Sequence, residues 1–143
     1  MTKRVFAIVA VSFLLVAAAA PLAAQISKLT ATVPFEFVVA GRTMPAGEYE
    51  VWKSPTSSMI VLRGLNQRIS ALSIAMGDPV TSRNPAADTR LIFNRYGDQY
   101  FLHAVVNAYA AVEFTLPETR AEREMVKTAA LHQEHVLAVL ARR

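Results

Sequence analysis

The stretch Arg90-Leu91-Ile92-Phe93-Asn94-Arg95-Tyr96-Gly97-Asp98-Gln99-Tyr100-Phe101-Leu102-His103-Ala104-Val105-Val106 constrains this chain more than any other. Two runs rich in β-branched and aromatic residues flank Gly97-Asp98. A two-residue loop forces an antiparallel return, and glycine supplies the positive φ that such a tight turn needs. The register follows directly: Tyr96 faces Gln99, Arg95 faces Tyr100, Phe93 faces Leu102, Ile92 faces His103, and Leu91 faces Ala104. Leu91, Phe93, Leu102, Ala104 and Val106 then share one apolar face. A slip of one residue would turn all of them to the wrong side, so turn and core pattern demand the same pairing.

The chain around this hairpin carries the same signature from Leu29 to about Thr115. Val33, Phe35, Phe37 and Val39 repeat with period two, although Pro34 inside the run favours an edge strand or a strand start. Ala40-Gly41 ends that run, and Met44-Pro45-Ala46-Gly47 has the proline and glycine spacing of a type I turn. Glu48 to Trp52 resumes the alternation, with Trp52 on the face opposite Tyr49 and Val51. Met59 to Leu62 and Ile69 to Met76 are further short runs, closed by Arg63-Gly64 and by Gly77-Asp78-Pro79. Thr81 to Asp88 reads as a surface loop, and Tyr109 to Phe114 adds a last strand. Strands alternate with turns and not with helices, so the expectation is a mainly β domain. About six or seven strands should form an antiparallel β-sandwich or small barrel.

The period changes at Leu116-Pro117. From Glu118 onward there is no glycine or proline and helix formers dominate, which predicts a C-terminal α-helix over 117–143. Thr115 or Pro117 stands where a cap or first-turn proline belongs. Met125, Ala129, Val136 and Leu140 fall near one stripe that can dock on the β domain or on a second copy, making homo-oligomerisation through this helix an expectation.

Residues 1–24 read as a signal peptide. Lys3 and Arg4 form a basic start, Val5 to Ala20 is apolar apart from Ser12, and Ala23-Ala24 offers a small-residue cleavage site before Gln25. The expected organisation is therefore 1–24 leader, 25–116 β domain and 117–143 helix, exported to the periplasm or beyond, with no stable membrane span after processing. Loss of Lys3 and Arg4 reduces the formal charge of +4 to about +2, too little for nucleic-acid binding. The absence of cysteine from all 143 residues removes disulfides, thiolate metal sites and cysteine nucleophiles.

Several blocks occur in one order: Val33-Pro34-Phe35-Glu36-Phe37, Met44-Pro45-Ala46-Gly47-Glu48-Tyr49, Phe93-Asn94-Arg95-Tyr96-Gly97 with Tyr100-Phe101-Leu102, and Leu116-Pro117 with Arg120-Ala121-Glu122-Arg123-Glu124. This order resembles a family of small uncharacterised exported bacterial proteins, over roughly residues 30 to 125. Val106 stands near the place where that family's pattern has a tryptophan. The resemblance implies export and the fold, and assigns no activity to any residue.

Candidate chemistry is sparse. His132 and His135, three apart on the expected helix, are the candidate metal ligands; His132-Gln133-Glu134-His135 lacks the spacing of the zinc-protease helix. His103 reads as a half-buried strand residue. No Gly-x-Ser-x-Gly elbow accompanies Ser57, Ser58, Ser70 or Ser73. The paired carboxylates Glu48/Glu50 and Glu122/Glu124 read as surface charge. The aromatics offer more: Trp52, Arg95, Tyr96 and Tyr100 form the candidate binding face, with Tyr49, Tyr109 and Arg42 as outlying members. The function expected is a non-enzymatic binding or structural domain of the cell envelope, without a cofactor, whose partner is an envelope protein or glycan. The alternative is a small metal-dependent or hydrolytic enzyme built on His132 and His135.

Overall fold

The computed structural model describes residues 28–81, 83–84 and 88–128, together with the backbone of 134–140. The expected leader, 1–24, lies outside the described residues. The fold is mainly β, as expected, with two sheets that face each other as a half-barrel and one helix near the C-terminus. Among the described residues no helix is long and apolar enough to cross a membrane.

The first sheet has the order β1-β4-β5-β6, from β1 (Leu29–Val33), β4 (Gly47–Lys53), β5 (Met59–Gly64) and β6 (Ser70–Ile74), all antiparallel. The second runs β11-β8-β9-β10-β7, from β11 (Glu134–Leu140), β8 (Arg90–Tyr96), β9 (Gln99–Asn107), β10 (Val112–Thr115) and β7 (Met76–Pro79). A small hairpin of β2 (Phe37–Val39) and β3 (Arg42–Met44) joins this sheet where Val38 pairs with Phe101. At one seam β11 lies beside β1, and at the other β2 lies beside β6. There the Arg42 guanidinium donates to the Ser70 carbonyl.

Among the described residues eleven strands stand where six or seven were expected, for local reasons. Pro34 cannot donate a ladder hydrogen bond. The Val33–Val39 run therefore breaks into β1 and β2, which belong to opposite sheets, while Val33, Phe37 and Val39 all stay buried. Ala40 and Gly41, both at positive φ (50° and 75°), make the two-residue turn between β2 and β3. The Ile69–Met76 run divides at Ala75, after which β7 crosses to pair with β10. Gly77 allows close packing there: a Cβ would stand 3.1 Å from the ring of Phe114, its register partner, which would have to shift by a few tenths of an ångström.

Between the sheets an aromatic cluster joins both halves. Phe37 meets Tyr49 and Phe93 edge-on at 5.2 Å each, and Phe35 meets Phe93 edge-on at 5.2 Å. Such pairs contribute about 0.5–1.5 kcal/mol each beyond area burial. Leu29, Val51, Leu62, Leu91 and Val105 complete the buried interior.

The central hairpin has the expected turn. Gly97 has φ 60°, and Tyr96–Gln99, Arg95–Tyr100 and Phe93–Leu102 pair as the loop length requires. Beyond Phe93 the register shifts, and Ile92 pairs with Ala104 where His103 was expected. His103 is the extra residue of a β-bulge, and its carbonyl accepts the Leu116 N–H at 2.8 Å. The bulge reverses every side chain that follows it. Val105 therefore joins Leu91, Phe93 and Leu102 in the core between the sheets, while Ala104 and Val106 turn to the other face.

The C-terminal region departs most from expectation. Helix α1 covers only Arg120–Thr128, and residues 134–140 form strand β11, paired with β8 from Glu134–Arg95 to Leu140–Arg90. β8 is flanked by β9 on one side only and is buried on both faces at Leu91, Phe93, Asn94 and Tyr96. Its other backbone edge must be hydrogen-bonded, and β11 does this. The Val-Leu-Ala-Val-Leu sequence also suits a pleated strand. The expected stripe of Met125, Ala129, Val136 and Leu140 therefore does not form on one helix: Ala129 lies outside the described residues, and Val136 and Leu140 belong to β11. The helix is capped by Thr119, not Thr115 or Pro117, through a bond from the Glu122 N–H to Thr119 Oγ1 at 3.1 Å.

Candidate functional site

The expected binding face does not assemble on one surface. Arg95 and Tyr100 do meet, with the guanidinium 5.6 Å from the ring centre, while Arg95 Nε donates to the Gly97 carbonyl at 2.8 Å. Tyr100 stacks on Phe35 at 4.1 Å, so this column braces the hairpin tip against the core. Tyr96 points to the opposite face of the sheet and is buried, meeting Phe101 at 5.8 Å. Strand alternation explains it: consecutive residues cannot share a face. Trp52 belongs to the other sheet. Tyr49 is fully buried and its hydroxyl donates to the Pro45 carbonyl. Tyr109 is exposed.

Behind the central hairpin lies a buried polar group. Asn94 Nδ2 donates to Glu122 Oε1 at 3.0 Å, and both residues are buried. Glu122 is therefore not the surface charge expected of the Glu122/Glu124 pair; it ties α1 to β8. Burial raises the Tyr96 hydroxyl above its ordinary pKa, the Glu122 and Glu118 carboxylates raise it further, and the Asn94 side chain opposes them. No hydrogen bond of normal geometry reaches that hydroxyl among the described residues.

His132 lies outside the described residues. His135 is on β11, opposite Asn94 in the register, so the helical spacing that would bring it beside His132 does not hold there. No metal-binding group of three or more ligands occurs among the described residues.

The site that the sequence reading missed is an apolar slot of about 160 Å³ at one end of the half-barrel. One wall comes from the first sheet, at the start of β1 and β5 and the end of β4: Leu29, Val51, Trp52, Lys53 and Ile60. The other comes from β9, β10 and the turn between them. Leu29, Val51, Ile60 and Val105 are buried and form the floor, whereas Lys53 and Ala110 are exposed and mark the mouth. The turn at the mouth is held firmly. Asn107 Oδ1 accepts the Ala110 N–H at 3.1 Å, and the Ala111 carbonyl accepts the Val80 N–H at 3.0 Å. Ala111 adopts φ 51°, costly for a residue with a Cβ.

Trp52, half-buried, stands at the rim. Lys28 Nζ lies 5.3 Å and the Arg63 guanidinium 5.7 Å from its ring centre. Glu50 accepts from both cations, at 3.3 and 2.8 Å. Glu50 thus pairs with two cations around the one tryptophan of the chain, on the face of β4 away from Tyr49 and Val51. Only Trp52 carried a signal in the sequence, through its outward position in the alternation. The opposite wall comes from strands more than fifty residues away, which no local pattern brings to mind.

Comparison with protein-family models, with curated proteins and with solved structures finds no match to this chain.

Proposed function

We propose that the chain is an exported, non-enzymatic binding domain of the bacterial cell envelope that holds the apolar part of a small ligand in the slot beside Trp52. The slot itself carries this reading. An apolar cavity near 150 Å³ accepts a benzene-sized guest, and the slot, open at its mouth, has about that volume with walls of Leu29, Val51, Ile60, Val105, Val112 and Phe114. The open end of a barrel-like fold is a common place for such a site. Its described lining offers Asn107, Lys53 and the Trp52 indole N–H as side-chain polar groups, with no carboxylate, histidine or hydroxyl among them, which suits holding a ligand better than transforming one. The basic start, apolar run and Ala23-Ala24 end support export, in keeping with the exported family that the chain resembles.

Two measurements test the reading. Protein recovered from the envelope fraction should have an intact mass beginning at or near Gln25; recovery of the full-length chain alone would show retention of the leader. Trp52 emission should shift and saturate on titration with 1-hexanol. Val112→Phe, which fills the slot from a half-buried position, should abolish that response without lowering the melting temperature much. A parent protein with no saturable response would remove the slot as a binding site.

A further inference from the structure

Resting on the slot as a binding site, we infer that its ligand is an anionic amphiphile: a carboxylate or phosphate head on a short acyl or aryl tail, with the head at Lys53. The tail length follows from the volume. A slot of about 160 Å³ holds one phenyl ring or an alkyl chain of about six carbons, going by the benzene-sized guest of similar cavities. A full lipid chain is too long for it, so the ligand is a soluble small molecule.

The sign of the head follows from the rim. Lys53 is the ionisable residue among the described lining, and it stands at the mouth. Among the described residues its ammonium reaches two neutral carbonyls, of Ser54 and Ser57, each at 3.3 Å. An ammonium has three N–H donors, so one remains for a ligand, and no carboxylate lies within 4.0 Å of Lys53 among the described residues. With Lys53 at the mouth and no carboxylate in the described lining, the mouth is positive, which favours an anion and disfavours a cation there. The head must stay near the surface, where Lys53 is exposed, while the tail is buried against Ile60 and Val105. The two ends of such a molecule thus match the two ends of the slot. The hydrogen-bonded Asn107–Ala111 turn keeps the mouth formed before binding, so little ordering opposes association.

The experiment uses the full chain and follows Trp52 emission with hexanoate, 1-hexanol and hexylamine, ligands of one tail length and three head charges. Hexanoate should bind roughly three- to tenfold more tightly than hexanol, the range for one solvent-exposed to partly shielded charged hydrogen bond. Hexylamine should bind most weakly, and added salt should narrow the spread. Lys53→Gln should bring hexanoate to the level of hexanol. Hexyl phosphate should behave as hexanoate does. Equal affinity for hexanoate and hexanol in the parent, or a hexanoate preference that survives Lys53→Gln, overturns the anionic head while the slot stands. Silence toward all of these ligands overturns the slot itself. Cosedimentation with phosphatidylglycerol vesicles that hexanoate does not compete away would place the anion in a membrane surface, and would overturn the small-molecule assignment.

Discussion

Replacing Glu122 by alanine tests whether the helix is held by a single buried bond. Glu122 is 3% exposed, accepts from Asn94 Nδ2 at 3.0 Å, and through its own N–H completes the Thr119 cap. The backbone bond survives truncation, and alanine is the best helix former, so propensity does not fall. What is lost is a hydrogen bond to a carboxylate, about 1.5–3 kcal/mol. Asn94 is also left without its side-chain partner in a buried position, its Oδ1 being already unbonded, at a further cost of about 1–3 kcal/mol. Water reaching Asn94 as the helix loosens recovers part of this, so the net loss should be about 2–4 kcal/mol. Glu122→Gln keeps an acceptor and should lose about 1 kcal/mol. Urea unfolding of both variants, of Asn94→Ala and of the double variant completes a cycle, with an expected coupling of about 1–2 kcal/mol. A Glu122→Ala variant within about 0.5 kcal/mol of the parent, or strictly additive single effects, would refute the bond as the anchor of α1.

Gly97→Val should destabilise by about 1–3 kcal/mol in thermal melts, because φ 60° is strained for a β-branched residue although a Cβ there would meet no atom within 4 Å; an unchanged melting temperature would remove the turn assignment. Tyr49 and Tyr96 both have pKa values raised by burial above the ordinary value of 10.0. The folded state therefore retains these protons longer than the unfolded chain does. Their contribution is complete below about pH 10 and is lost as pH rises through the folded values. Tyr96→Phe removes a buried hydroxyl that makes no hydrogen bond of normal geometry among the described residues, so it should be neutral or stabilising by up to about 1 kcal/mol and should flatten the alkaline loss of stability. A variant with the parent's alkaline slope would show that Tyr96 does not titrate in the fold.

The sequence by itself determined what depends on neighbours along the chain. Gly97-Asp98 sets the antiparallel return and the first pairs on either side of it, because a two-residue loop permits one register near its tip. The alternation of Glu48 to Trp52 marks Tyr49 and Val51 as one face of β4 and Trp52 as the other, since alternation is a property of the extended backbone itself, whereas in β6 Ala71 and Ser73 are buried and the larger Leu72 and Ile74 are exposed. Pro34 signalled a strand limit in the same way. Only the tertiary structure decided the rest. The bulge at His103, whose carbonyl accepts the Leu116 N–H across the sheet, sends Val105 inward and Val106 outward. Helical propensity is a weak local preference, a few tenths of a kcal/mol per residue, whereas an unpaired buried strand edge leaves several backbone groups without hydrogen bonds. Residues 134–140 therefore pair with β8 in place of extending α1. Glu122 looked like surface charge because the asparagine that receives it lies 28 residues away. The slot is hidden for the same reason: its walls come from two sheets whose strands meet only after the chain has folded.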